Sequence, residues 1–432
     1  MSTQTTLSPS DAVEQASGPG VQAKIVWRGP IIYLALGIIS LVFFALLTPA
    51  QDTTRFIVAA SRDFVTIAPF GVPSRTTALL VSLVALGLAV WATWLTAHRR
   101  KIPTWVTIAF GGLVLLAFLV WVMAGNVNAL PLTVLLTGAL ALSVPLIFGS
   151  LAGLLCERSG IINIAIEGQL LAGAFLAVVV ASVTGSPYAG MIAAPLAGAL
   201  VGLLLVMFAV RYRIDQIIVG VVLNVLVIGL TNYLFSTILT QNPQTLNSPP
   251  RLPTLPIPVL SQIPVIGPVL FNHSLVIYLM YVVVAVLQVM VFRSRWGLRM
   301  RAVGEHPKAA DTVGIKVNRT RVRNTVLGGA VAGLGGAALV AAGLAFTKEL
   351  TSGKGYIALA AMILGRWSPK GALAAALLFG FADSLRQVLN NLGSPVPSQF
   401  LAMLPYLATI FAVAGLVGRV RAPASEGIPY VK

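Results

Sequence analysis

The chain has 432 residues, of which 57% are hydrophobic and only 9% charged, with a formal net charge of +17. A soluble domain carries about 25% charged residues, so composition excludes a soluble globular protein and points to an all-α polytopic membrane protein. Three His and one Cys, Cys156, exclude a disulfide framework and leave too few ligands for a metal centre.

In chain order, residues 1–28 read as a disordered cytoplasmic tail, with no secretory signal peptide. A helix needs roughly 20 apolar residues to cross about 30 Å of hydrocarbon. By that rule spans are expected at 31–48, 76–97, 104–124, 130–155, 165–184, 188–210, 215–239, 274–292, 324–346, 370–391 and 400–418. A shorter apolar run, 356–366, is expected as a half-helix or tilted short span, tolerated where protein surrounds it. That gives 11–12 membrane segments. Residues 29–128 form an N-terminal group of spans, 129–421 a membrane core and 422–432 a second cytoplasmic tail. Of the outer loops, 49–75 carries both charge signs and is expected to include a short surface helix. Loop 240–273 holds eight prolines, cannot be a regular helix, and reads as an extended cover.

Counting charges sets the orientation. With the N-terminus inside and each segment crossing once, 22 of the 29 Lys and Arg fall on the cytoplasmic side and six outside. The positive-inside bias therefore puts both termini in the cytoplasm of a cell-membrane protein. The +17 charge is topological, and no nucleic-acid partner is expected.

Polar residues at membrane depth are the candidate functional groups. Glu167, with Asn163 and Gln169 nearby, is expected about one turn into a helix starting near Ile162. It reads either as the cap and packing centre of a broken helix or as a contact for passing solute. Asp215 reads as a helix cap or as a partner of Arg211 and Arg213. Asn224 and Asn232, eight apart, share a helix side. Asp383 and Arg386 are spaced for an internal pair, and with Ser384, Gln387, Asn390 and Asn391 they make their helix unusually polar. Together these residues read either as an uncharged hydrogen-bonding path or as glue between helices. Gly149/Gly153, Gly198/Gly202 and Gly329/Gly333 are G-x-x-x-G pairs that mark close helix packing. No phosphate-binding loop, zinc motif or nucleophile elbow is present.

The long basic loop 293–323 holds nine Lys and Arg. Within it Gly304, Glu305 and His306 lead into Pro307 at a first helical position. Lys308, Ala309, Ala310, Asp311, Thr312 and Val313 then run to Gly314, a natural stop. A short capped helix on a cytoplasmic loop fits a docking element, with Ala309 and Ala310 small enough to admit another protein surface. The alternative is a solvated loop that only fixes topology.

GEHPKAADTVGI (Gly304 to Ile315), with RWGLRMRAVG before it, resembles the coupling loop of ATP-binding-cassette importer permeases of the nucleoside, simple-sugar and branched-chain amino acid branch. PLIFGSLAGLLCERSGIINIAIEGQLLAGAF (Pro145 to Phe175) resembles the signature of the same branch, and its ERSGIINIAIEG is most similar to the nucleoside and simple-sugar members. The similarity runs from about 130 to 420; one departure is His306, where many relatives carry Asn. The resemblance implies a permease subunit without enzymatic activity, translocating a small polar solute, nucleosides first. It further implies two ATPase subunits that hold the ATP and Mg, a second identical or homologous permease, and an extracytoplasmic solute-binding protein. A sugar or branched-chain amino acid permease is the near alternative. An ion-coupled secondary transporter, which would need Glu167 or Asp383 as a coupling carboxylate, is the distant one.

Overall fold

Long apolar runs leave their backbone amides no partner but one another, so they fold as helices. The computed structural model describes residues 27–58, 67–393, 396, 397, 399–403, 406 and 421–431. Among them nine helices are long and apolar enough to cross a membrane: α1 (Arg28–Leu46), α2 (Ser74–Ala97), α3 (Thr104–Val122), α4 (Leu132–Glu157), α5 (Ile166–Thr184), α6 (Pro187–Arg211), α7 (Gln216–Leu239), α8 (Leu275–Arg293) and α13 (Pro369–Asn391). Between the last two lie α9 (Arg295–Glu305), α10 (Pro307–Thr312), α11 (Val317–Val340) and α12 (Lys354–Leu364). Helix α11 covers the expected span 324–346 but begins earlier, in basic sequence, and stops at Val340 before a turn with Gly343 at φ +78°. The expected span 400–418 and the tail 1–28 lie largely outside the described residues.

The chain divides into two units: Met1–Asp52 with Pro73–Ala124, and Thr53–Val72 with Gly125–Lys432. In the first, α2 turns a seam of small side chains inward, Ser74, Ala78, Ser82, Ala85, Ala89 and Ala92. The three- and four-residue spacing of that seam admits a neighbouring helix closely. Ser40 and Ser82 share a hydrogen bond of 2.8 Å, and Tyr33 and Thr107 one of 2.6 Å.

The second unit is built around α4. Every residue from Ser143 to Glu157 is buried, as befits a helix apolar on all sides and wrapped by others. Its Gly149 and Gly153 face Ala358 and Met362 of α12. The Gly198/Gly202 pair of α6 lies directly on Gly329 and Gly333 of α11, backbone against backbone. Helix α12 has 11 residues, roughly 16 Å at 1.5 Å per residue, and so is the expected short segment. It is packed against α4, α5 and α13.

Two outer loops carry short strands. Before α2 begins at Ser74, the described part of 49–75 holds strands, and the expected surface helix falls to residues 59–66, outside the described residues: β1 (Thr53–Ile57) lies between β2 (Phe70–Pro73) and β3 (Leu130–Pro131), with Phe56 opposite Leu130. Alternating Thr53–Thr54–Arg55–Phe56–Ile57 suits a strand, burying Thr54 and Phe56 on one side. The proline-rich loop is folded and not simply extended. It makes helical turns at Pro243–Leu246 and Ile266–Leu270, and β4 (Thr254–Pro256) pairs antiparallel with β5 (Asn272–Ser274). Asn247 pins it by donating to Phe346 O at 3.1 Å and accepting from Phe346 N at 2.6 Å.

Candidate functional site

The signature segment Glu157–Gly168 is the turn between α4 and α5, and nearly every polar atom in it is spoken for. Helix α5 starts at Ile166, later than the sequence implied, so Ile162 and Asn163 lie in irregular backbone. Irregular backbone inside a bundle needs side-chain partners. Gln216 Oε1 accepts from Ile162 N at 2.7 Å, and Asn224 Nδ2 donates to Ile164 O at 2.9 Å. Asn163 and Gln169 exchange two amide hydrogen bonds, of 3.0 and 3.3 Å. Asn224 Oδ1 also accepts from Gly168 N at 2.8 Å, while its Nδ2 reaches the Tyr356 hydroxyl at 3.2 Å.

Glu167 sits in the first turn of α5 with its carboxylate turned onto the start of α12. It accepts from Thr351 Oγ1 at 2.6 Å, Gly353 N at 2.8 Å and Gly355 N at 2.6 Å. Unpaired amides at a helix start hold a carboxylate well, and Gly353, at φ +81°, makes the tight entry into α12. Of the two readings of Glu167, the geometry is that of a cap, and the helix it caps is α12. Asn163, Glu167 and Asn224 thus belong to one buried region in which their side-chain polar atoms are all hydrogen-bonded.

The other candidates lie elsewhere. Asn232 is two turns along α7, with its Oδ1 buried and unpartnered. Asp215 caps α7, accepting from Ile217 N at 2.8 Å and Ile218 N at 3.1 Å. Ser384 points inward and donates to Leu135 O of α4 at 2.7 Å. Asp383 and Arg386 pair at 3.6 Å, both part-exposed. With exposed Gln387, Asn390 and Asn391 they form a polar stripe over the last two turns of α13. Nearer its start, that helix exposes apolar Leu378.

The basic loop folds as two helices. Ser294 Oγ accepts from Gly297 N at 3.1 Å and caps α9, whose Met300 and Val303 are buried. Helix α10 begins with Pro307 at its first position and ends before Gly314 at φ +85°. His306 precedes it without a side-chain cap. Ala310 is buried against Val303 and Val317, so it serves internal packing and offers nothing outward. Lys308, Ala309, Thr312 and Val313 are exposed, Val313 at 75%. Gly304 lies on the carbonyl of Arg158, where any side chain would collide. The two-helix knob is thereby seated on the signature turn.

Three contributors were not visible as such in the sequence. Arg321, counted there as a topology charge, is buried and donates to Ile428 O at 2.8 Å. Trp367 Nε1 donates to Glu157 Oε2 at 2.6 Å, and Arg158 Nε to Trp367 O at 3.0 Å. Residues 421–431 fold back: Ser425 N donates to Gly304 O at 2.9 Å, and Gly427 N to Gly160 O at 3.3 Å. Burial pushes the Glu426 carboxyl above the ordinary carboxylate range.

The described residues thus give a polytopic helical bundle with an exposed two-helix knob seated on its signature turn. The family described as branched-chain amino acid transport system / permease component matches residues 135–414. The chain is 38% identical over 311 residues to the guanosine ABC transporter permease protein NupQ of Bacillus subtilis, covering 70% of this chain and 97% of NupQ. It is equally identical, over 311 residues, to the nucleoside ABC transporter permease protein NupC of Lactococcus lactis, with 70% and 98% covered. A putative glucose ABC transporter permease protein of Haloferax volcanii, TsgC13, is 30% identical over 66% of this chain and 92% of its own. No solved structure matches. The chain belongs to this family of ABC transport permeases and is a multi-pass membrane protein.

Proposed function

We propose that this chain is the nucleoside-translocating permease of an ATP-dependent importer. Two ATPase subunits, which hold the ATP and Mg, dock on the α9–α10 knob of each permease. A second permease, identical or homologous, completes the path, and an extracytoplasmic solute-binding protein delivers the solute. The knob faces the cytoplasm, as the charge distribution requires. The observation that carries the reading is the knob itself: a six-residue helix exposing Lys308 and Ala309, with Val313 exposed just past its end, while its base is locked to the signature turn. The nucleoside assignment comes from the relatives NupQ and NupC.

The residues divide the work. A push on α10 passes through Gly304 to the Arg158–Gly160 turn, and from there through Glu157 and Trp367 to the end of α12. At the far end of α12, Glu167 ties it to α5. The permease itself makes no covalent change; ATP shifts the balance between two arrangements of the bundle. The polar stripe of α13 lines the path, with amide and paired charges suited to a neutral, hydrogen-bonding solute. Glu167 is fully engaged and Asp383 is paired with Arg386. Neither is the free carboxylate that ion coupling would use.

Reconstitution in liposomes tests this reading. Labelled guanosine or uridine is expected to accumulate only with ATP, the ATPase subunits and the binding protein present. Asp383→Asn is expected to lower uptake with assembly unchanged. Uptake driven by an ion gradient without ATPase would refute it.

A further inference from the structure

The last described residues, 421–431, are bound on both sides of the signature turn. Ala424 N donates to Glu305 Oε2 at 3.2 Å and Ser425 Oγ to Glu305 O at 2.9 Å, on the knob. Arg321 holds the Ile428 carbonyl from below, and Tyr430 packs with Val303, Ala310 and Val317. These tethers leave Ile428, Pro429 and Val431 exposed beside α10, with none of the described residues over them. Between them and His306, Lys308 and Ala309 runs a groove of about 610 Å³.

Its lining is mainly apolar, with His306 and Lys308 on the α10 side. Ile428 and Val431 are 55% and 54% exposed. Arg293, Arg295, Arg299, Lys308, Lys316, Arg319 and Arg323 are exposed as well. The two acids of the loop are turned to the tail: Glu305 takes Ala424 N, and Asp311 hydrogen-bonds to Tyr430. What the knob leaves outward is basic, and Lys308 brings that charge into the lining of the groove. A protein surface with an apolar plug inside an acidic rim complements it, since opposed charge steers and selects partners while buried apolar anchors hold them. An anionic lipid surface would satisfy the charges but has no use for a concave apolar slot.

We propose that the C-terminal tail is the second wall of the ATPase seat: the ATPase subunit inserts an apolar side chain between α10 and residues 428–431, under an acidic rim. This rests on the docking reading above and adds a second element to it. The test uses full-length chain co-expressed with its ATPase subunit and purified in detergent without added lipid. Ile428→Asp with Val431→Asp alters two exposed side chains and leaves the tail's tethers in place. It is expected to cut co-purified ATPase at least about tenfold, an effect of the size one lost contact gives, at unchanged permease yield. Ala309→Asp on α10 is expected to do the same. ATPase retained by the tail variant but lost by Ala309→Asp overturns the tail's part alone. Retention by both overturns the docking reading and the tail with it. As a second measurement, Val431→Cys, in a chain whose natural Cys156 is buried, is expected to cross-link to the ATPase subunit through a short bifunctional reagent. No cross-link to the ATPase subunit in a complex that still co-purifies would overturn the tail's part.

Discussion

Two carboxylates that look alike in sequence, Glu167 and Asp215, both serve helix starts, and burial separates their worth. Asp215 is exposed, and its two amides can turn to water when it is lost. Glu167 is buried and holds one hydroxyl and two amides that have no other partner. Hydrogen bonds to a charged group are worth about 1.5–3 kcal/mol, and buried donors left unmade cost a similar amount. A surface cap is worth about 1 kcal/mol. Glu167→Gln keeps one acceptor oxygen and points an amide group at the remaining donors. It is therefore expected to destabilise the protein by about 2–3 kcal/mol, against about 1 kcal/mol or less for Asp215→Asn. Thermal unfolding of both variants in detergent measures the difference. Because the Glu167 carboxylate is spent on the start of α12, the KM for solute is expected to stay put in the protein that survives. A changed KM with native stability would make Glu167 a solute ligand instead.

Between elements, the closest approach is that of α6 to α11. A Cβ at Gly329 would run into the Gly198 carbonyl and the Gly202 Cα. These are backbone atoms that cannot rotate aside. Gly229 on α7 has nothing within 4 Å of its would-be Cβ. Overpacking a rigid contact costs about 1–3 kcal/mol or more, whereas an open site costs little. Gly329→Val is expected to abolish or sharply reduce monodisperse protein after solubilisation, and Gly229→Val to leave it near normal. Equal yields would show that the glycine seam is not what holds the pair. These glycine pairs were legible in the sequence because spacing along one helix encodes them. The spans were legible for the same reason, as was α10, whose Pro307 and Gly314 act within one turn of themselves. Partners far apart in the chain were not. Nothing near Arg321 announces that its guanidinium meets a carbonyl 107 residues on, and in a basic loop it reads as one more topology charge. Ala310 failed likewise: smallness fits an inward and an outward face equally, and only Val303 and Val317 decide which. Asn224 looked like part of a polar lining because Asn232 shares its side of the helix. What it serves is the irregular backbone of Ile164 and Gly168, which no local pattern reveals.

At the scale of the whole molecule, the family match begins at residue 135, and the three helices before it form their own unit with their own seam. The boundary is not a clean cut in sequence. Thr53–Val72 leaves the first unit's helices and belongs to the second, where β1 pairs with Leu130–Pro131 and Thr133 Oγ1 donates to the Val58 carbonyl. A chain beginning at Gly125 would keep the signature turn, the knob and the tail groove, all of which lie in the second unit. It would lose the short ladder and the Thr133 bond. At a net of about 0.5–1.5 kcal/mol for each hydrogen bond, that loss amounts to a few kcal/mol, enough to lower the melting temperature without preventing folding. The shortened chain is therefore expected to melt earlier in detergent than the full one, yet to capture the ATPase subunit as well as before. Restoring residues 53–72 through a flexible linker to Gly125 is expected to recover much of the lost stability. If ATPase capture falls with the first unit while the melting temperature holds, those three helices act on coupling and are more than a neighbouring unit.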